Sequence, residues 1–514
     1  MRTAAGLTLA LALLCGGVPL PLAAQSAVRS KPADGKALAS VQQHVRARMQ
    51  ADVAALRAYR PEFPFWRHIF TVPDGSIIFG SAVDGRLLAT FPANGDWQRD
   101  GVWEDPALGS VLDGIVLSED LAERRDEVAR LLTPIVGRVV HNATRGRFLQ
   151  PNERRYGALL DEWGAIYERF GVPAEIGLSQ ALVESGLDGS IRSEVRAIGF
   201  CQWMPSNWNQ LKRLSPVVIE GYNQTTQAPY CAAYLSILAT KYGSFIPALS
   251  EHHAGGTNIG RALINGEWLG GASTRDRYFL GSDFVRDLRI MSPGTYRDIY
   301  GSYGPRSIRY AEMVFGNVAN VERIRDEVPQ RKIYAMRVPR SQTLAAIASR
   351  AKLTTDEVRR YNPALSRRVP ANATLYLPKY IAAFGRDVSF WHRTPSRAYL
   401  DLLEQFVRLD VSPDEWDSPA FDKVLERFRT RFAATRTEEG MVMATTLAYE
   451  QRQRTSGQAA ILADFRSSDE VRTLFDEARR NRDAFIDGGA AAIAADDGDA
   501  ALQDAIGLST TSKQ

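Results

Sequence analysis

The sequence predicts a mainly α chain of several domains, interrupted by a small β-rich element and a short βααβ module. Three observations predict this. Apolar residues recur at helical spacing through most of the 514 residues. Asp74-Gly75, Asp84-Gly85 and Asn94-Gly95 punctuate short β-prone runs near the N-terminus. Residues 332–380 then alternate strand, helix, helix, strand. At 45% hydrophobic and 24% charged, the chain can bury substantial cores. Its 63 basic against 59 acidic side chains leave a formal +4, too balanced for a nucleic-acid binder. Three cysteines exclude a disulfide-stapled miniprotein, and no Cys/His spacing suits zinc, so neither metal nor cofactor is expected.

Residues 1–24 read as a signal peptide. Arg2 precedes an uncharged stretch with its apolar heart at 7–14; Pro19 and Pro21 break it, and Leu22-Ala23-Ala24 offers a small-residue cleavage site. The expected mature chain is exported, periplasmic or envelope-associated. Cys15 does not suit lipidation, because Leu14 stands where a small residue is needed. Within 25–60, Leu38, Val41, His44 and Val45 predict one helix over 35–60. The 61–115 element is predicted to carry strands at 68–72, 76–80 and 86–91. A helix over 117–140, with Ser118-Glu119-Asp120 at its start, is expected to lead a helical domain spanning 116–325. After the 332–380 module, 384–487 reads as amphipathic helices at 398–409, 420–432, 441–454 and 468–487. The 488–514 tail is rich in Ala, Gly and Asp, a composition that favours a flexible segment.

Chemistry concentrates in Val172-Pro-Ala-Glu-Ile-Gly-Leu-Ser-Gln-Ala-Leu-Val-Glu184-Ser185-Gly186. Pro173 suits a helix start and Gly186 a stop, which puts Glu184 in the last turn. An ionised carboxylate is disfavoured beside those terminal carbonyls, and a glutamate kept protonated is what a general acid requires. Further on stands Gly199-Phe200-Cys201-Gln202-Trp203-Met204-Pro205-Ser206, with Gln202 18 positions after Glu184.

This two-part pattern resembles the lytic transglycosylase domain of the soluble-lytic-transglycosylase type, a lysozyme-like helical fold related to goose-type lysozyme. Two further blocks agree in order. Pro247-Ala-Leu-Ser-Glu-His252-His253-Ala254-Gly255-Gly256 stands where the family has Ala-Tyr-Asn-Ala-Gly, with His-His in place of Tyr-Asn. Ile308-Arg309-Tyr310-Ala311 fits the family's final tyrosine, whose hydroxyl lies near the catalytic glutamate. The resemblance implies cleavage of the β-1,4 bond between N-acetylmuramic acid and N-acetylglucosamine in peptidoglycan, with Glu184 as the single general acid/base and 1,6-anhydro ends as products. It implies substrate contacts from Ser185, Gln202, Met204, His253, Ala254, Gly255 and Tyr310. The 332–380 module, with Val338, Thr343-Leu344, Tyr361-Asn362-Pro363 and Leu375-Tyr-Leu-Pro378, resembles a LysM glycan-binding repeat, although Ser341-Gln342 and Ala371-Asn372 depart from its sugar-contacting loops.

In an exported chain Cys201 and Cys231 are expected to form a disulfide, since the fold implied by the resemblance packs the helix of Cys231 behind the loop of Cys201. The C-terminal helices are expected either to fold back on the catalytic domain or to dock another envelope protein. Two other functions stay open on the sequence. A goose-type lysozyme would use Asp188, Glu194 or Glu251 to activate water; a non-catalytic peptidoglycan-binding scaffold would use none of them.

Overall fold

The computed structural model describes residues 35–300 and 304–487; the expected signal peptide and the 488–514 tail lie outside them. The described chain is mainly helical with small sheets. Its buried apolar side chains form three clusters, one large and two small.

The first small cluster belongs to a four-stranded antiparallel sheet. Strands β1 (Ser76–Ser81) and β2 (Leu87–Pro92) form a hairpin around Gly85, whose φ of 71° is the left-handed turn conformation that glycine supplies. Strand β3 (Val102–Trp103) pairs with β2, and β4 (Val139–Ala143) pairs with β1 on its far edge. The Leu121–Val136 helix covers the sheet, with Val128 and Leu132 against Phe79, Leu88 and Trp97.

Two expectations are corrected here. The predicted 68–72 strand is a turn of helix, His68–Thr71, following the 3-10 turn Phe63–Arg67. Ile69 and Phe70 are neighbours and both are buried, which the alternating faces of a half-exposed strand do not allow. The predicted 117–140 helix stops at Val136, because Gly137 turns at φ 80° and β-branched Val139 and Val140 return the chain to the sheet. That helix therefore completes the β unit instead of leading the helical domain, and the expected boundary at 115/116 falls inside one folded unit.

The large cluster surrounds two helices, Ala174–Ser185 and Gln224–Tyr242, in which every residue is buried. Helices buried on all sides stand at the centre of a body, not on its surface, and the charge they carry there, on Lys241, is paired with Glu251. The Gly35–Tyr59 helix ties this body to the C-terminal region. Arg48 donates to the Val407 carbonyl (2.6 Å) and Ser40 to Glu404 (2.7 Å). On the same helix, buried Asp52 accepts from Ser244, the Phe245 amide and Arg275.

The second small cluster is the core of the 332–380 module. Strand β5 (Tyr334–Arg337) leads to β6 (Gln342–Thr343), the helices Leu344–Ala351 and Thr355–Tyr361, then β7 (Arg368–Val369) and β8 (Thr374–Leu377). Strands β5 and β8 pair antiparallel, β6 pairs with β7, and β9 (Arg386–Asp387) adds to the other edge of β5. Thr343 caps the first helix, and Thr354 with Glu357 forms a capping box on the second. The module is seated on the helical body. Thr226 bonds Tyr376 (2.8 Å), Asn223 donates to the Tyr361 carbonyl (3.1 Å), and buried Glu162 accepts from the Ile333 amide, Trp391 and Lys332.

The C-terminal region folds back on the helical body through Arg397–Val407, Pro419–Ala434, Glu438–Gln453, Ala459–Ser467 and Asp469–Asp487. Four of these match the predicted helices to within a few residues. Ala459–Ser467 was not expected; it is separated from its predecessor by a five-residue kink, Arg454–Gln458, in which Gly457 is non-helical.

Candidate active site

Glu184 ends the Ala174–Ser185 helix, where Gly186 caps it in the left-handed conformation (φ 55°) and donates its amide to the Leu182 carbonyl. A Cβ on Gly186 would lie 2.3 Å from the Phe148 carbonyl, so glycine is required here for space as well as for φ. Glu184 is 8% exposed at the floor of a cleft of about 330 Å³. The Tyr310 hydroxyl donates to its Oε1 at 2.6 Å.

The 192–203 loop forms the neighbouring wall. Ile198 bridges both Arg192 and Trp203. Gly199, at φ 73°, leaves no room for a Cβ beside Gln227 and the Gly221 carbonyl. Gln227 also accepts from the Cys201 amide, at 3.1 Å. Cys201 and Cys231 are joined in a disulfide, with Cα atoms 6.4 Å apart, which fastens the loop to the Gln224–Tyr242 helix.

The last turn of the Phe245–Ala254 helix brings both histidines to Glu184. His252 Nε2 and His253 Nδ1 lie 3.9 and 4.0 Å from Glu184 Oε1. Adjacent residues do not normally share a helix face, but at a helix end both rings reach one carboxylate. His252 Nε2 also lies 2.9 Å from the Cys201 carbonyl, so that nitrogen carries the proton. Burial pushes the His252 imidazole below its ordinary range, against the opposing pull of Glu184 and the Cys201 carbonyl. The His253 ring stacks on Tyr310 at 4.5 Å and 13°.

Glu184, Gln202, Met204, His253 and Gly255 all line the cleft. Gln202 donates to the Gly199 carbonyl (2.8 Å), and Met204 is 40% exposed. Three expected substrate contacts are placed otherwise. Ser185 is fully buried and donates to the Ala181 and Phe200 carbonyls, so it pins the loop to the Glu184 helix. Tyr310 is fully buried behind Glu184, with its hydroxyl beside that carboxylate as the resemblance implies, and it is not part of the cleft lining. Ala254, half-buried, packs against the core and is not part of the cleft lining.

Two carboxylates line the cleft, and their surroundings differ. Glu251 accepts from Lys241 at 2.9 and 2.8 Å and from the Tyr242 hydroxyl at 2.5 Å. Lys241 is fully buried and also faces Glu450 of the C-terminal region at 3.6 Å. Asp188 accepts from Ser190 (2.7 Å), and neither it nor Glu194 lines the cleft.

Sequence reading missed the opposite wall. Tyr449, Gln453 and Gln458, all from the C-terminal region, line the same cleft. Tyr449 stacks on Trp203 at 5.5 Å, and Gln453 donates to Gln210 (3.2 Å). An amphipathic pattern marks such a helix as packed against something without saying against what.

Among the described residues no group of three or more His, Cys, Asp or Glu side chains is arranged to hold a metal ion. No helix among them is long and apolar enough to cross a membrane. Comparison with family models and with curated proteins returned no match.

Proposed function

We propose that this chain is an exported peptidoglycan lytic transglycosylase, built on a lysozyme-like helical domain with a LysM-like module beside it. The observation that carries this reading is the asymmetry of the two cleft carboxylates. Glu251 is held by a buried lysine and a tyrosine, which leaves Glu184 as the cleft carboxylate free to move a proton. Its anchor, the Tyr310 hydroxyl at 2.6 Å, fixes the carboxyl orientation and leaves Oε2 for the substrate.

In this reaction Glu184 donates its proton to the glycosidic oxygen as the C1–O bond breaks. The resulting carboxylate then takes the proton of the muramoyl C6 hydroxyl, whose oxygen bonds to C1 and closes the 1,6-anhydro ring. The proton count balances and no water is consumed. A hydrolase of goose-lysozyme type needs a second carboxylate to activate water; the second one in this cleft is already committed to Lys241. The His252 nitrogen nearest Glu184, Nε2, donates its proton to the Cys201 carbonyl and so has no lone pair with which to activate water.

Purified sacculi test the reading. The intact chain should release soluble fragments, and Glu184→Gln should bind sacculi but release none. Sacculi bound and never cleaved by the intact chain would make it a wall-binding scaffold.

A further inference from the structure

The cleft is lined by two buried N–H donors without an acceptor, one on the 192–203 loop and one on the C-terminal wall. Trp203 Nε1 and Gln458 Nε2 have no hydrogen-bond partner, and both residues line the cleft. Buried donors are nearly always paired, because an unmade bond leaves the desolvation cost uncompensated. Here the missing acceptors are ones that a ligand in the cleft can bring.

Gln458 is held in place with some care. It ends the kink Arg454–Gln458 between two helices, where Gly457 adopts φ 122°. The kink is anchored by Arg454, which is 2% exposed and donates to Asp422 (2.5 Å) and the Trp416 carbonyl (2.8 Å). Across the cleft, a Cβ on Gly256 would lie 2.3 Å from Gln458 Nε2 and 2.5 Å from Glu251 Oε1. Glycine at 256 is what gives the amide its room. Trp203 is fixed in turn by its stack on Tyr449 and by the backbone pairing with Ile198.

We propose that Gln458, together with Trp203, holds the acetamido group of a hexosamine in the cleft, so that the C-terminal region is part of the substrate site. This rests on the glycan-cleaving reading above. The chemistry fits in two respects. An acetamido carbonyl is the acceptor that both donors lack. Its methyl group finds apolar neighbours in Val195, Ala197 and Met204, which line the same cleft. Gln458 is a binding residue in this account and moves no proton.

The test uses the full chain carrying Glu184→Gln, so that binding is read without turnover. Binding of N-acetylglucosamine oligomers is compared with binding of the same oligomers after de-N-acetylation. Removing one hydrogen-bond donor should weaken the N-acetylated ligand about tenfold for Gln458→Ala, and less for Trp203→Phe, which keeps the ring. The de-N-acetylated ligand should be unaffected by either change. Gly256→Ala, which displaces the amide while leaving Gln458 in place, should reproduce the Gln458→Ala loss; thermal unfolding of each variant checks that the fold persists. Unchanged selectivity in folded Gln458→Ala and Gly256→Ala proteins, alongside sacculus cleavage by the intact chain, overturns the inference and spares the function. An intact chain that neither cleaves sacculi nor binds either oligomer overturns both.

Discussion

The two walls of the cleft are built in different ways. The Glu184 wall is local in sequence and dense in motif: a proline start, a glycine stop and a glutamine 18 positions on. Its geometry is then fixed by short-range features, namely the Gly186 cap, the Ser185 bonds and the disulfide. The C-terminal wall reaches the same cleft from more than 200 positions away. Side chains carry it there, by the Tyr449–Trp203 stack and by the Lys241–Glu251–Glu450 cluster. Local motifs make one half of a site recognisable, whereas the other half depends on packing that no local pattern records.

The largest effect should come from the first wall. Glu184→Gln is isosteric but has no acid proton to give, so turnover should fall by about 10² to 10⁴ with thermal stability unchanged. Activity within tenfold of the parent would remove Glu184 from the chemistry.

The seam between the walls should be nearly as sensitive, in stability instead of rate. Lys241→Met leaves Glu251 and Glu450 buried without the lysine that contacts both, with Arg454 as the remaining nearby cation, and removing one partner of a buried pair costs about 3–5 kcal/mol. Denaturant unfolding reads this directly. Because burial already raises the Glu450 carboxyl above its ordinary range, the variant should lose most of its stability at high pH and recover part of it as pH falls and Glu450 protonates. A pH-independent loss would mean that Lys241 acts by packing alone.

The disulfide lies between these two in its reach. Replacing Cys201 and Cys231 by serine opens a 30-residue loop, which on the chain-entropy model costs about 2–4 kcal/mol. Because that loop carries Gln202 and Trp203, KM should rise more than kcat falls. Equal changes in both would place the loop outside substrate binding.

Legibility follows the same division. The helices at 35–60, 398–409 and 420–432 were readable because their apolar stripes are long and periodic. The 68–72 run was not, since four β-prone residues fit either structure and burial of both Ile69 and Phe70 decided for helix. The 117–140 run concealed a change of element at Gly137. Within the site, Glu184, Gln202, His253 and the place of the Tyr310 hydroxyl beside Glu184 were readable from motif, whereas the place of Ser185 depended on which way a buried hydroxyl points. Gln458 had no local signal at all; only the unpaired amide marks it.

Tyr310→Phe sharpens the first wall further. Deleting one hydrogen bond to a carboxylate costs about 1.5–3 kcal/mol, so kcat should fall by about tenfold to a hundredfold with KM nearly constant. A change confined to KM would return Tyr310 to substrate binding.

The smallest effect concerns the seated module. Burial raises the Glu162 carboxyl, but bonds from His392, Trp391, the Ile333 amide and Lys332 outweigh it and bring it down to about 2. A carboxylate whose pKa is lowered on folding contributes stability above its ordinary value of 4.5, and this is lost as pH falls from there towards 2. Glu162→Gln should therefore flatten the acid limb of the stability profile and leave the alkaline limb alone. An unchanged acid limb would show that the module is held by its other contacts.

The identity of the new chain ends tests the central claim most directly. Sacculi digested by the intact chain, and resolved by mass spectrometry, should yield fragments ending in 1,6-anhydromuramic acid, with no solvent oxygen incorporated when the digest is run in ¹⁸O-labelled water. Reducing ends carrying the label would show that water, not the C6 hydroxyl, takes C1, and would contradict a mechanism run by Glu184 alone.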